Sequence, residues 1–161
     1  MLDERDLQIL AVLQADARVS NAELGRRLGL APSAILERIR KLERRGVILG
    51  YSARIDPRAV GRELLAFVFV QADERPGGDD LGRLLAGVPE VQEVHHVAGE
   101  DCYLVKVRCG SPEALGRLLK ERLGGLEPVR RTRSTVVLGT IKETAALDLP
   151  APAEEQDDDS D

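Results

Sequence analysis

Between Ser20 and Pro32 the chain carries a helix start, a helix stop and another helix start in immediate succession, and this punctuation constrains the fold more than any other feature. Ser20-Asn21-Ala22-Glu23 has the spacing of a capping box, in which the serine oxygen accepts from the Glu23 amide and the glutamate reaches back. The helix it opens carries Leu24 and Leu28 and stops at Gly29, a natural C-terminal cap. Pro32 then sits where a first helical turn tolerates a missing N–H. From there Ile35, Ile39 and Leu42 form an i, i+4, i+7 stripe that runs out at Arg45-Gly46. Upstream, Leu7, Ile9, Leu10 and Leu13 behind Asp3 predict a short amphipathic helix over about 3–15. Three short helices with a tight glycine turn between the second and third make a helix-turn-helix arrangement.

After Gly46 the period changes. Val47-Ile48-Leu49 and Tyr51–Ile55 read as extended, and Asp56-Pro57 breaks the run. The run Leu64–Ala72 is strand-like, Pro76-Gly77-Gly78 punctuates, and Leu81, Leu84 and Leu85 mark a helix ending at Gly87. Two strands follow, Val91–Val97 and Cys102–Cys109, around a turn at Gly99-Glu100. Ser111-Pro112 opens a helix with Leu115, Leu118 and Leu119, closed by Gly124-Gly125, and Val129–Thr140 reads as a long last strand. The order β-α-β-β-α-β is the ferredoxin-like unit. The fold class expected is therefore α+β: a helix-turn-helix, winged-helix-like domain over 1–50, a linker strand over 51–62, and a ferredoxin-like domain over 63–143. The acidic remainder, 144–161, is expected to be disordered, its end being Pro/Ala-rich and then Asp/Glu-rich.

Composition removes several function classes. Aromatic residues make up 2% of the chain, too few for a protein that stacks single-stranded bases on rings. No apolar run approaches the roughly 20 residues of a membrane span. The start, Met1-Leu2-Asp3-Glu4-Arg5-Asp6, is acidic, unlike a secretory signal, and Cys102 and Cys109 are no disulfide framework. A cytoplasmic protein is the expectation. The net charge of -5 conceals an asymmetry: residues 1–62 carry 12 Lys and Arg against 8 Asp and Glu, while after Lys142 there are eight acids and no base. The field near a surface follows the local cluster, so an acidic total is no argument against a nucleic-acid partner.

Between Leu24 and Arg45 lie Arg26, Arg27, Arg38, Arg40, Lys41, Arg44 and Arg45 against only Glu37 and Glu43. With Ile35, Ile39 and Leu42 turned inward, Ser33, Ala34, Glu37, Arg38 and Lys41 are expected to project from the third helix. Its small-residue start would let it approach base edges in a major groove. Arginines further along would hold phosphate. A solvated charged face on an ordinary helical domain is the plainer reading of charge alone; the capped helix, glycine turn and proline start favour double-stranded DNA. The residues expected at DNA are Arg26, Arg27, Pro32, Ser33, Ala34, Glu37, Arg38, Lys41, Arg44 and Arg45.

The residues Leu2–Asp6 with Ile9-Leu10, Asp16–Ser20, Glu23-Leu24, Arg38-Ile39-Lys41-Leu42-Glu43, Gly46-Val47-Ile48 and Gly50-Tyr51 stand in a distinctive order. With Asp56-Pro57, Gly61, the turn Gly99–Leu104 and Ile141-Lys142-Glu143, this set resembles the leucine-responsive/asparagine-activator (Lrp/AsnC, or feast/famine) transcriptional regulators over about 1–143. The resemblance implies a DNA-binding regulator, not an enzyme, whose second domain senses an amino acid and dimerises through its sheet, with assembly up to octamers common. Two departures stand out. Ala31 replaces the usual serine before the third helix, removing a cap of about 1 kcal/mol, and Cys102 stands where the turn often carries an aspartate.

An α-amino acid needs an acceptor for its ammonium and donors for its carboxylate. Glu100 and Asp101 offer carboxylates, Gly99 allows close backbone approach, and Thr132 and Ser134 offer hydroxyls. With Cys102 and Tyr103 these form the expected effector site, the turn and last strand being the parts the resemblance implies. Cys102 in place of an acid favours an effector with an uncharged or apolar side chain. His95 and His96, adjacent on a strand, face opposite ways, and so do Cys102 and Cys109, so no metal or cofactor is expected. A different class, the sirohaem decarboxylases, shares this two-domain architecture and would give His95 or His96 a role in tetrapyrrole chemistry. The seven basic residues of the helical part argue against it.

Overall fold

The computed structural model describes residues 2–73, 80–99 and 102–150. The chain falls into two compact units, one made of residues up to Ala53 together with the segment from Glu143, the other of Arg54–Lys142.

The first unit holds α1 (Glu4–Ala15), α2 (Asn21–Leu28) and α3 (Pro32–Arg44). Asp3 caps α1: its carboxylate accepts from the Asp6 N–H at 2.8 Å, and the Asp6 carboxylate accepts from the Asp3 N–H at 3.3 Å. Ser20 caps α2 as its sequence position predicts, accepting from the Glu23 N–H at 3.2 Å. The returning arm of that box is absent, because the Glu23 carboxylate takes Arg26 and Arg27 instead. Charge-assisted bonds of 2.7–2.9 Å outcompete a neutral amide. Gly29 ends α2 at φ +66°, and the chain then doubles back so tightly that a Cβ on Gly25 would lie 2.5 Å from the Leu30 carbonyl oxygen. Ile9, Leu24, Ile35, Ile39 and Leu42 form the core of this unit, each worth about 1.5–3 kcal/mol of burial.

The second unit runs β1 (Leu64–Ala72), α4 (Asp80–Ala86), β2 (Val91–His96), β3 (Tyr103–Cys109), α5 (Pro112–Arg117) and β4 (Val129–Val136), with α5 continuing as a π-helical segment Leu118–Leu123. The strands form one antiparallel sheet in the order β2-β3-β1-β4, the ferredoxin-like arrangement. Ala66, Val68 and Val70 of β1 and Val105 and Val107 of β3 pack beneath Leu81, Leu85, Leu115 and Leu118. The last strand stops at Val136, short of the Thr140 expected, because its partner runs out: Ala66 pairs with Val136 and the Leu65 carbonyl takes the final bond, from Val137.

Two further expectations are revised. The stretch 51–62 pairs with no strand among the described residues; Asp56–Arg62 instead closes into consecutive turns, with Arg62 N–H donating to the Pro57 carbonyl at 2.7 Å. Proline and an Asp56 carboxylate that accepts from the Arg58 N–H favour that turn over a ladder. Residues 144–150, expected to be without fixed structure, include Leu147, whose main chain is bonded to the Gln14 side chain. The rest of the acidic segment, 151–161, and the Pro76-Gly77-Gly78 break lie outside the described residues.

Candidate nucleic-acid interface and effector site

At 100° per residue, the buried stripe Ile35/Ile39/Leu42 turns Ser33, Glu37, Arg40, Lys41 and Arg44 of α3 outward. All five are exposed, as are Pro32 and Arg45, while Ala34 is half-buried. Arg40, Lys41, Arg44 and Arg45 make no ion pair with any described residue. At the other end of α3, Ala31 provides no side-chain cap, so the amides of the first turn keep their hydrogen-bonding capacity and the positive end of the helix dipole is uncompensated. The helix thus presents cations over its last turns and bare N–H groups at its start.

Arg38 is not part of that row. It is half-buried on the flank of α3, and its Nη1 donates to Asp3 Oδ2 at 2.6 Å and to Asp6 Oδ1 at 2.8 Å. The two hydrogen bonds raise the guanidinium pKa further and hold the Asp3 carboxyl below its usual range. The reason is angular: Arg38 sits three residues after Ile35 and one before Ile39, beside the buried stripe rather than opposite it. Sequence reasoning placed Arg38 outward and left out Arg40, although the same 100° count puts Arg40 close to Ser33 and Arg44. Nor did it give a role to Arg5, whose Nη1 donates to the Leu28 carbonyl at the end of α2 at 3.1 Å. Arg26 and Arg27 are exposed but held by Glu23, whose carboxyl is lowered to about 2 by the hydrogen bonds from Arg26 and then Arg27.

The expected effector residues fall on one end of the sheet, yet not in one cluster. Across the sheet, His96, Tyr103, Val70 and Thr132 form a single row, and Ser134 lies in a neighbouring row opposite Val68. Thr132 and Tyr103 are two strand spacings apart, roughly 10 Å between backbones. Tyr103 is 2% exposed: its ring stacks on His96 at 5.0 Å between centroids, and a Cβ on Gly82 of α4 would come within 3.0 Å of it. Tyr103 is therefore a core residue and not a lining of an open site, because it faces the helices. Gly99 is exposed at φ +140° with open space where a Cβ would stand. The Cys102 N–H donates to the Val70 carbonyl, and its thiol lies 3.5 Å from the Ala72 carbonyl. Glu100 and Asp101 lie outside the described residues.

His95 points away from His96, as strand alternation requires. It lies 3.3 Å from Glu93, which also takes Lys106 at 2.9 Å; Lys106, then burial opposed by it, then His95 leave the Glu93 carboxyl lowered. On that face Phe67 and Phe69 of β1 are half-buried, and the Arg133 guanidinium lies 4.1 Å over the Phe69 ring. Both cysteines are free thiols, and burial raises the pKa of Cys109. Among the described residues no cluster of three or more metal-ligating side chains occurs.

Comparison with known proteins fits this geometry. Residues 2–48 match the winged helix-turn-helix DNA-binding model, and residues 65–147 match the Lrp/AsnC ligand-binding domain. The chain is 44% identical over 140 residues to the HTH-type transcriptional regulator LrpA of Mycobacterium tuberculosis, covering 87% of this chain and 92% of that one. It is 39% identical over 150 residues to the leucine-responsive regulatory protein of Escherichia coli, covering 91% and 90%. Among solved structures it is similar to the feast or famine regulatory protein of M. tuberculosis complexed with L-methionine, at a TM-score of 0.86 and 41% identity over 93% of this chain and 100% of that one. A transcriptional regulator of Neisseria meningitidis in complex with L-methionine gives a TM-score of 0.84 at 32% identity, covering 92% and 97%. With both halves matched in order and these identities running through nearly the whole length, the chain belongs to the Lrp/AsnC family.

Proposed function

We propose that this protein is a sequence-specific, double-stranded-DNA-binding transcriptional regulator whose assembly or DNA affinity responds to a small amino acid, and that it acts in the cytoplasm without catalysing a reaction. The observation that carries the reading is the outward face of α3, with Arg40, Lys41, Arg44 and Arg45 exposed and without an ion pair among the described residues, behind an uncapped helix start. Ser33 and Ala34 at that start are small enough to let the backbone near base edges, while the arginines further along reach phosphate. Arg26 and Arg27, exposed on α2, add to the positive field.

A homodimer, with octamers as a further step, fits the apolar residues left uncovered. In the second unit Ile55, Leu138 and Ile141 are 67%, 101% and 101% exposed, and in the first Leu49 is 94% exposed. Burying these at about 25 cal/mol per Å² favours association of two copies. The effector site then draws on the Gly99–Cys102 turn and the Thr132/Ser134 edge, which supply different polar groups, and it lies where two copies meet. A ligand bound where copies meet selects the assembly that forms the whole site. L-Methionine, held by two of the similar structures, has the uncharged side chain that Cys102 in this turn favours.

Selection of duplexes from a random-sequence pool, repeated with each of the twenty amino acids, tests the proposal. The expected result is a recurrent two-fold-related motif whose recovery changes with at least one uncharged amino acid. Failure to enrich any duplex at low salt rejects the DNA reading; enrichment indifferent to every amino acid rejects the effector reading.

A further inference from the structure

The carboxylates of Asp3 and Asp6 do two things at once. They close the capping box of α1 on each other's N–H groups, and both accept from the same Nη1 of Arg38. One guanidinium therefore ties the first turn of α1 to the middle of α3, more than thirty residues away in sequence. Asp6 is 4% exposed and is the one buried charged residue among those described. A carboxylate in that position persists because it is paired; removing one partner leaves the other charge stranded.

Apart from Tyr51, whose hydroxyl donates to Glu43 at 3.0 Å near the end of α3, the other described side-chain packing of the helix is apolar, through Ile35, Ile39 and Leu42. Apolar packing decides which face of α3 is buried, but it is non-directional and holds small rotations about the helix axis less tightly than hydrogen bonds do. Charge-assisted bonds to two fixed carboxylates do not tolerate such rotation. Recognition of base edges demands orientation held to roughly 10–20°.

We propose that Arg38 is a positioning residue: held by Asp3 and Asp6, it sets the rotation of α3 and so decides which side chains of that helix meet the bases, without touching DNA itself. The proposal rests on the DNA-binding reading above and adds the N-terminal turn of α1 to the reading apparatus. The competing account is that Arg38 is a phosphate contact parked on two acids until DNA displaces them. The two accounts predict opposite signs. Asp6→Asn frees Arg38 and removes a negative charge, so a phosphate contact would bind DNA more tightly; loss of positioning makes binding weaker.

The experiment uses the full chain and the duplex that the wild-type protein selects most strongly from the random pool. Dissociation constants are measured across a salt series for the wild type, Asp6→Asn, Asp3→Asn, Arg38→Met, Arg38→Lys and the Asp6→Asn/Arg38→Met double variant, with melting curves as a check on folding. Asp6→Asn and Arg38→Met are each expected to weaken binding about tenfold, with the double variant no weaker than the worse single one, since the two act through one bond. The log–log salt slope stays at the wild-type value, because no phosphate contact, worth about 0.9 each, is lost. Preference for the selected duplex over a scrambled one falls, and Arg38→Lys restores part of it. Where Asp6→Asn melts too low to assay, Asp3→Asn decides by the same sign and Arg38→Met by its salt slope. Binding by the Asp variants as tight as or tighter than wild type, or a slope reduced in Arg38→Met, overturns the proposal while leaving the DNA reading intact. Absence of wild-type binding to any duplex overturns both.

Discussion

Gln14 and Leu147 hold each other by two hydrogen bonds: the Gln14 side-chain amide donates to the Leu147 carbonyl at 3.1 Å, and the Leu147 N–H donates to Gln14 Oε1 at 2.7 Å. A side chain of α1 thereby substitutes for a strand partner and fixes main chain beyond the last strand. Gln14→Ala is expected to lower stability by about 1 kcal/mol, since both groups are exposed and net hydrogen-bond gains are modest. Hydrogen exchange at the Leu147 amide should accelerate in the variant, and an unchanged rate would show that the pairing is not held in solution.

Gly25 is the position where the helix-turn-helix is least forgiving. A methyl group there would meet the Leu30 carbonyl at 2.5 Å, and that carbonyl belongs to the turn itself. Gly25→Ala should cost about 2–3 kcal/mol, near the upper part of overpacking penalties, because main chain must move. Gly116→Ala, where a Cβ meets nothing within 4 Å, serves as the benign comparison in denaturant melts.

Acid should loosen the helical unit in a defined window. The folded Glu23 carboxyl is lowered from 4.5 to about 2 by Arg26 and then Arg27, and Asp3 is lowered chiefly by Arg38. Groups whose pKa is depressed on folding contribute stability that is complete above the unfolded value and lost as pH falls through the folded one. Melting temperature should therefore hold down to about pH 4.5 and decline toward pH 2. In Glu23→Gln that decline should be shallower, and an unaltered profile would mean the pairs dissolve in water.

Arg40 should behave as a phosphate ligand where Arg38 does not. A dimer using the four unpaired cations of each α3 would neutralise about eight phosphates and show a log–log salt slope near -7. Arg40→Ala removes one per subunit and should bring the slope up by nearly two. Fluorescence anisotropy across a salt series measures it.

Oligomeric state provides a separate test. Leu138→Lys and Ile141→Lys each place a charge on an apolar residue that stands fully exposed in the single chain. Light scattering should find the wild type as a dimer or larger, and both variants shifted toward the monomer. A monomeric wild type would contradict the proposed assembly.

What the sequence made legible was whatever local chemistry decides. Ser20, Gly29 and Pro32 act within one turn of themselves, so the boundaries of α2 and α3 could be read directly, and the strand alternation that separates His95 from His96 is equally local. What could not be read depends on partners distant in sequence. Whether Glu23 returns to its own helix start or takes two arginines is a competition among neighbours, and spacing allows both. The spacing of Arg38 from Ile35 and Ile39 puts it beside the buried stripe, but the acids it meets there, Asp3 and Asp6, stand thirty-odd residues earlier. The end of β4 is set by where β1 begins, and the burial of Tyr103 by a glycine in α4 that leaves room for its ring. The effector residues were grouped by chemistry, and the register of the sheet sets Tyr103 and Thr132 on either side of β1.

The clasp on Gln14 also has a place in time. Its two halves lie 133 residues apart, and ribosomes extend a chain at about 5–20 residues per second. Roughly 7–27 seconds thus pass between the appearance of α1 and that of the residue that fastens to it. The three helices, with the side-chain caps of α1 and α2 and their own apolar core, can form during that interval; the pairing with Leu147 waits for residue 147. A nascent or prematurely terminated protein can therefore carry a complete helix-turn-helix that lacks this last attachment, and release of that attachment is a mark by which such chains differ from full-length ones.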